Sequence, residues 1–444
     1  MVWKLLALAG ATVLALLAIN RVPLTYTLRN LSVRWVTTLL TALAFTFVIG
    51  LLVVMLAFTN GMRRMTEGTG QPGNVLVLAE GSTDESFSNL SVSDLAEIEH
   101  LPQVERDSRT GRPLASRETY LIVNQPLPHA TASGAQRRFL QLRGIEDPAV
   151  AVKVHEVELL PGGRWFSEAG VAELPEAESG AAPAVQTVLG EGLARVLAAD
   201  RTAEERAAAA AADRLGVGDR FRLGERTWIV TGIMKSAGSA FGSELWAKRS
   251  LVGPIFGKDT CSSLLIRTKD AATAEQLKTY LSSEYKQASV SARLETEYYE
   301  ALSETNQQFL VAIIFVTVVM SIGGVLGVMN TMFAAVSHRI QDIGVLRLLG
   351  YKRRQILVSF LLESLVIALV GGLAGCALGS LSDGWTASSM MAGSTGGGKF
   401  VVLQLSVDAH TWAVGVCLTL LMGGLGGLIP ALSAMRLRPL EALR

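Results

Sequence analysis

Four stretches of the chain run apolar on every face for a membrane's width: residues 35–58, 309–333, 356–381 and 411–432. A helix needs about 20 such residues to cross the hydrocarbon core, so each is expected to span a bilayer. A fifth run, "LLALAGATVLALLAI" from Leu5 to Ile19, follows Lys4 like the apolar part of a secretory leader. The next residues, "LLAINR", lack a clean small-residue cleavage signal, so an uncleaved extra membrane or interfacial segment is expected. The third span carries one acid near its start, Glu363. An acid there is costly without an interface or a partner, and interfacial snorkelling or local structure is the expectation.

Between spans one and two the pattern shortens. "NVLVLAEG", "ETYLIVN", "RRFLQLRGI", "AVQTVLG", "DRFRLGERTWIVTGIM" and "SSLLIRTKD" read as strands bounded by turn residues, with Gly224-Glu225 as a tight hairpin. "SVSDLAEIEHL" reads as a helix capped by Ser91 or Ser93, and "DAATAEQLKTYLSSEY" places Ala274, Leu277 and Leu281 on one helical face. "EERAAAAAADRLG" is a strong helix former, read as an inserted arm. In "ARLETEYYEALSETNQQ", Leu294, Tyr298 and Leu302 recur every four residues, which predicts a helix continuous with span two. The expected fold class is therefore a membrane α-helical bundle with a large α+β extracytoplasmic domain. The expected division is an N-terminal hydrophobic segment at 1–20, a lead-in and first span at 21–60, an outer domain at 61–308, and a three-span domain at 309–444.

Basic residues orient the spans. Arg21, Arg29 and Arg34 precede span one; Arg339, Arg347, Lys352, Arg353 and Arg354 lie between spans two and three; Arg436, Arg438 and Arg444 close the chain. The positive-inside rule puts all three segments in the cytoplasm and residues 61–308 outside it, with Arg63 and Arg64 as a local exception.

The composition agrees. Of 444 residues half are hydrophobic, the net charge is +1 and the mean hydropathy is +0.36. Near-neutral charge argues against broad nucleic-acid binding. Three cysteines and five scattered histidines show no metal-ligand spacing, and no metal or cofactor is expected. "GSTGGGKF" at 393–400 is one residue short of a phosphate-binding P-loop. Phe400 stands where a magnesium-holding Ser or Thr should be, and a strand-like "VVLQLSV" follows where a helix is required. It reads as a flexible glycine loop, so ATP hydrolysis is not expected of these residues.

In "AAVSHRIQDIGVLRLLGYKRRQILVSFLLES", Val336, Ile340, Ile343 and Leu346 follow helical spacing, Gly350 is a natural stop, and Tyr351–Arg354 form a basic cluster at the membrane edge. The apolar face either lies on the membrane or docks into a soluble partner. Gly323 and Gly327, then Gly371, Gly375 and Gly379, then Gly423 and Gly427 recur every four residues, a spacing that lets membrane helices approach closely.

The stretch "GVMNTMFAAVSHRIQDIGVLRLLGYKRRQILVSFLLESLVIALVGGLAGCALG" resembles the FtsX/MacB class of ABC transporter permeases. "LTYTLRNLSVRWVTTLLTALAFTFVIGLLVVMLAFTNGM" is similar to that family's lead-in and first span, and "GLIPALSAMRLRPLEALR" to its closing signature. Asp342 stands where the family has a glutamate. The N-terminal run and the Ala/Glu arm look like additions, and no nucleotide-binding domain is apparent. The resemblance implies a permease that pairs with a second copy and is driven by a separate cytoplasmic ATPase, with a periplasmic adaptor as a further partner. The ATPase would grip Arg339, Ile340, Asp342, Ile343, Gly344, Leu346, Arg347 and Gly350. Export or extraction of a lipophilic or amphiphilic substrate is the first expectation. A transmitter that switches a cell-wall enzyme is the second.

Overall fold

The computed structural model describes residues 35–127, 137–173, 182–209, 211–236, 238–302, 304–392 and 398–436. The Leu5–Ile19 run, the lead-in arginines and the closing Arg438 and Arg444 lie outside them. In chain order the elements are α1 (Trp35–Glu67), β1 (Asn74–Ala79), α2 (Val92–Ala96), β2 (Ala115–Pro126), β3 (Arg137–Ile145), α3 (Pro148–His155), β4 (Val171–Ala172), β5 (Ala184–Gly190), α4 (Glu191–Ala198), α5 (Ala203–Ala208), β6 (Arg220–Leu223) and β7 (Arg226–Met234). Then follow β8 (Glu244–Lys248), α6 (Arg249–Phe256), β9 (Ser263–Arg267), α7 (Ala271–Ser283), β10 (Val290–Leu294), α8 (Glu295–Leu302), α9 (Glu304–Ser337), α10 (Ile340–Leu348), α11 (Arg353–Ser380), β11 (Thr386–Ala392), β12 (Gly398–Gln404) and α12 (Ala409–Arg436).

Two compact units emerge. One holds residues up to 60, 308–385 and 405–444; the other holds 61–307 and 386–404. The second therefore gathers the β11–β12 hairpin, which the sequence division leaves with 309–444.

In the outer unit the strands form one sheet in the order β10-β1-β9-β2-β3-β8-β5-β7-β6, with β4 beside β5. Pairing is antiparallel except at β3–β8 and β5–β7. Strands β1 and β5 are buried on both faces, which is why they read as unbroken apolar runs rather than alternating ones. Two apolar cores result. Val75, Val77, Leu264 and Ile266 pack with Leu277 and Leu281 of α7. Leu189, Trp228, Val230 and Leu245 pack with Leu193 and Leu197 of α4. Gly224 turns the β6–β7 hairpin with a φ of 62°, and Ser91 caps α2 by accepting from the Asp94 N–H.

The Ala-rich segment departs from expectation. Helix α5 stops at Ala208. Alanine favours a helix but offers no apolar face to bury, and a helix this short needs tertiary contacts. The chain is instead fastened from outside: the Arg201 guanidinium donates to the Ala211 and Arg214 carbonyls, and Leu215 enters the second core. Helix α8 is described to Leu302 and α9 from Glu304; the expected continuity between them falls on Ser303, which lies outside the described residues.

In the membrane unit α1, α9, α11 and α12 are each long and apolar enough to cross a bilayer. The glycines divide into two groups. A Cβ on Gly371 would strike the Ala42 carbonyl oxygen, and one on Gly375 that of Thr46, so α1 and α11 meet backbone to backbone. Gly423 sits against Ala368 and Gly427 against Ser364, bringing α12 onto α11. Gly323 and Gly327 face open space. They border an apolar groove of about 390 Å³ with Leu40, Ala44 and Val48.

Candidate functional site

Helix α9 ends at Ser337, and two residues, His338 and Arg339, turn the chain into α10. At the other end Gly350 has a φ of 91°, a conformation that suits glycine. Its N–H donates to the Arg347 carbonyl, and the Tyr351 N–H reaches back to Leu346. These two bonds are the Schellman closure of a helix C-terminus. The Lys352 N–H then donates to Gln355 Oε1 at 2.7 Å and opens α11. Thus α10 and α11 are a helical hairpin with a short, hydrogen-bonded turn.

The apolar stripe read from the sequence faces this hairpin's interior. Ile343 is buried and packs with Ile356 and Phe360 of α11 and with Val336, Met332 and Ala434. Gly344 is buried, and Ile340, Leu346 and Arg347 are half-buried. Asp342 and Gly350 are exposed. Sequence reasoning missed the opposite face, where Val345 (46% exposed), Leu348 (63%) and Leu349 (71%) point outward. Their i, i+3, i+4 spacing was the available signal. A helix apolar on both faces has its second face covered by something.

Arg339 and Glu363 are the surprise. The Arg339 guanidinium donates to both carboxylate oxygens of Glu363, at 2.8 and 3.0 Å, and lies 5.9 Å from the Phe360 ring centre. Both side chains are buried. Glu363 therefore does not snorkel: it stands ten residues into α11, about 15 Å along it, and meets its counter-charge there. Arg339, expected on the docking face, points inward.

The outer unit holds a second buried charge system. Arg143 of β3 donates to Glu244 of β8 at 2.7 and 2.8 Å, to Glu85 at 2.8 Å and to Glu118 of β2 at 2.5 Å. His155, at the end of α3, shares a 2.6 Å hydrogen bond with Glu118 through Nε2. Its Nδ1 has no hydrogen-bond partner and lies 3.9 Å from Glu295. Glu295 opens α8 and accepts from the Asn74 side chain at 2.8 Å and the Gln71 N–H at 3.0 Å. All six ionisable groups are buried. Burial opposes charge throughout, but Glu244, Glu85 and Glu118 hold Arg143 well above its usual range. Burial likewise opposes ionisation of Glu118, yet His155 and Arg143 keep its carboxyl low. Burial pushes the His155 ring down and Glu118 more than restores it, so it ends raised. Glu295 has no cation of its own beyond His155, and burial carries it up to about 7.

The glycine-rich segment joins two antiparallel strands, β11 and β12, with Lys399 and Phe400 already in β12. Residues 393–397 lie outside the described residues. A P-loop would lead into a helix, and this segment leads into a strand. Among the described residues no three His, Cys, Asp or Glu side chains are grouped to hold a metal ion.

Comparison with known proteins agrees with this architecture. Residues 38–284 match the MacB-like periplasmic core domain and residues 314–439 the FtsX-like permease C-terminal domain. The chain is 26% identical over 426 residues to the macrolide export ATP-binding/permease protein MacB of Burkholderia lata, covering 91% of this chain and 54% of that one. To the MacB of Bdellovibrio bacteriovorus it is 28% identical over 251 residues, covering 51% and 36%. To the uncharacterized ABC transporter permease YknZ of Bacillus subtilis it is 34% identical over 140 residues, covering 30% and 32%. The chain thus spans between about a third and just over half the length of these relatives. The crystal structure of the periplasmic region of MacB from Actinobacillus actinomycetemcomitans aligns at 14% identity with a TM-score of 0.33, covering 53% of this chain and 95% of that one. With a core-domain match over more than half its residues and a permease match over most of the rest, the chain belongs to the FtsX/MacB-like family of ABC transporter permeases.

Proposed function

We propose that this permease couples ATP hydrolysis in a separate cytoplasmic ATPase to motion of its outer domain. One observation carries the reading: α10 is anchored on one face and leaves Val345, Leu348 and Leu349 outward on the other. The ATPase grips that outward face, beside the exposed Asp342. The basic residues flanking α10 support a cytoplasmic position for it, with the outer unit on the far side of the bacterial inner membrane. The spans carry almost no charge besides the paired Glu363, so a polar path through the membrane is not built. Substrate is instead moved from the outer compartment, and the relatives' name of macrolide export supports export as the direction. A lipophilic or amphiphilic molecule is the fitting class. A second permease copy covers Gly323 and Gly327, whose groove the described residues leave open. A periplasmic adaptor would complete the export assembly.

The test is affinity purification of the tagged full-length chain from gently solubilised membranes, with identification of what accompanies it. A stoichiometric ABC-type ATPase is expected, and its loss on Leu348→Asp. A correctly inserted protein that brings no ATPase would overturn the reading. A wall hydrolase among the companions, in place of an adaptor, would replace export by mechanical signalling.

A further inference from the structure

We infer that Arg339 and Glu363 form the joint through which α10 moves α11, which makes Arg339 a positioning residue rather than an ATPase contact. The inference rests on the coupling role proposed above for α10. Three observations carry it. First, the pair is bidentate, with 2.8 and 3.0 Å bonds, and buried at both ends. A bidentate Arg–carboxylate contact fixes orientation as well as distance. Second, the pair lies at the end of the hairpin far from its turn. Arg339, which immediately precedes α10, stands four and seven residues before Ile343 and Leu346; Ile356, Phe360 and Glu363 have the same spacing on α11. These six residues line the narrow crevice between the two helices. The hairpin is therefore fastened twice, by the Gly350 turn at one end and the ion pair at the other. Third, the connection to α9 is short and breaks the helix: the His338 N–H donates to the Ala334 carbonyl and the Arg339 N–H to the Val336 carbonyl, but Arg339 has a non-helical ψ of 18°. A push on the outward face of α10 then swings α10 and α11 as one body, with the give at residues 338–339.

An uncompensated buried charge would loosen the joint, whereas an exchanged pair would restore it. The experiment has two arms, both on the full-length permease in lipid nanodiscs. In the first, with no ATPase present, a spin label at Val345→Cys reports the mobility of α10. Arg339→Gln and Glu363→Gln should each mobilise it, and the exchange Arg339→Glu with Glu363→Arg should return it towards the parent spectrum. An unchanged spectrum in both single variants overturns the joint. Should the exchanged protein not insert, the double variant Arg339→Met with Glu363→Leu removes both charges and should keep α10 packed but without fixed orientation. In the second arm the ATPase is added. The single variants should still bind it within about twofold, because Leu348 and Val345 are untouched, yet lose about tenfold of the ATP-dependent change reported from an outer-domain label. Loss of ATPase binding in Arg339→Gln, with α10 mobility unchanged, would show Arg339 to be a contact after all. Absence of ATPase binding in the parent protein would sink the proposed function and leave the first arm to decide the joint.

Discussion

Two buried arginines, Arg339 and Arg143, one in each unit, are buried differently. Arg339 in the membrane unit faces one carboxylate, in a single two-bond contact. Arg143 in the outer unit faces three, from Glu85, Glu118 and Glu244, with His155 and Glu295 beyond them. The first system balances by itself and lies between two helices that follow one another in sequence. The second cannot balance without protons, because four buried carboxyls meet one guanidinium and one imidazole. The difference teaches what each can do. A closed one-to-one pair holds geometry, while an open network also responds to pH.

The largest effect is expected from Arg143→Met. It strands three buried carboxylates at the centre of the outer sheet, and the loss should reach on the order of 5 kcal/mol, enough to prevent folding. Limited proteolysis of the purified full-length protein would show it; a resistant outer domain would mean the carboxylates are relieved by protonation or water. Arg339→Met strands only Glu363 and should cost about 3–5 kcal/mol, most of it recovered by adding Glu363→Leu. No single second change can rescue Arg143 in the same way. Thermal unfolding of the three proteins compares them directly, and a double variant no better than the single one would break the contrast.

The pH response comes next. Glu295 and His155 both titrate higher in the folded state than in the unfolded chain. The folded protein therefore holds more protons, and stability falls as pH rises through their folded values. For Glu295 the window runs from the ordinary carboxylate range to about 7, and the loss is on the order of 3 kcal/mol. Hydrogen exchange in β1 and α8 should therefore speed up between about pH 5 and pH 8, and Glu295→Gln should flatten that slope. An unchanged slope would place the proton elsewhere. Smallest in stability is Leu348→Asp, expected within about 0.5 kcal/mol of the parent because the side chain is outward, yet expected to abolish ATPase recovery.

Much of the molecule was legible before its structure. The four spans follow from uninterrupted apolar runs, and Ala274, Leu277 and Leu281 are buried on the face their spacing predicts. Strands β8 and β10 were not seen. Their sequences, "ELWAK" and "VSARL", place charged residues in strands, and Glu244 is buried only because Arg143 waits beside it. A buried pair 101 residues apart leaves no local pattern. The short helix at Ile340–Leu348 was legible, but not which of its faces the bundle covers. Periodicity shows that Ile343 and Leu346 lie on one stripe; it does not say whether the chain's own bundle or a partner covers them. Ile343→Asp is therefore no test of docking, since Ile343 is only 2% exposed and its loss would damage packing first.

The closeness of Arg339 and Glu363 along the chain bears on how the protein is made. Synthesis runs from the N-terminus, so when Glu363 leaves the ribosome its counter-charge has already emerged 24 residues earlier. The acid can enter the bilayer with its counter-charge already made. The outer cluster has no such shortcut: its members run from Glu85 to Glu295, and it can close only after more than 200 residues have crossed the membrane. Every member of the outer cluster precedes Arg339, so a nascent chain must hold that cluster open across more than 200 residues, whereas the later joint closes across 24.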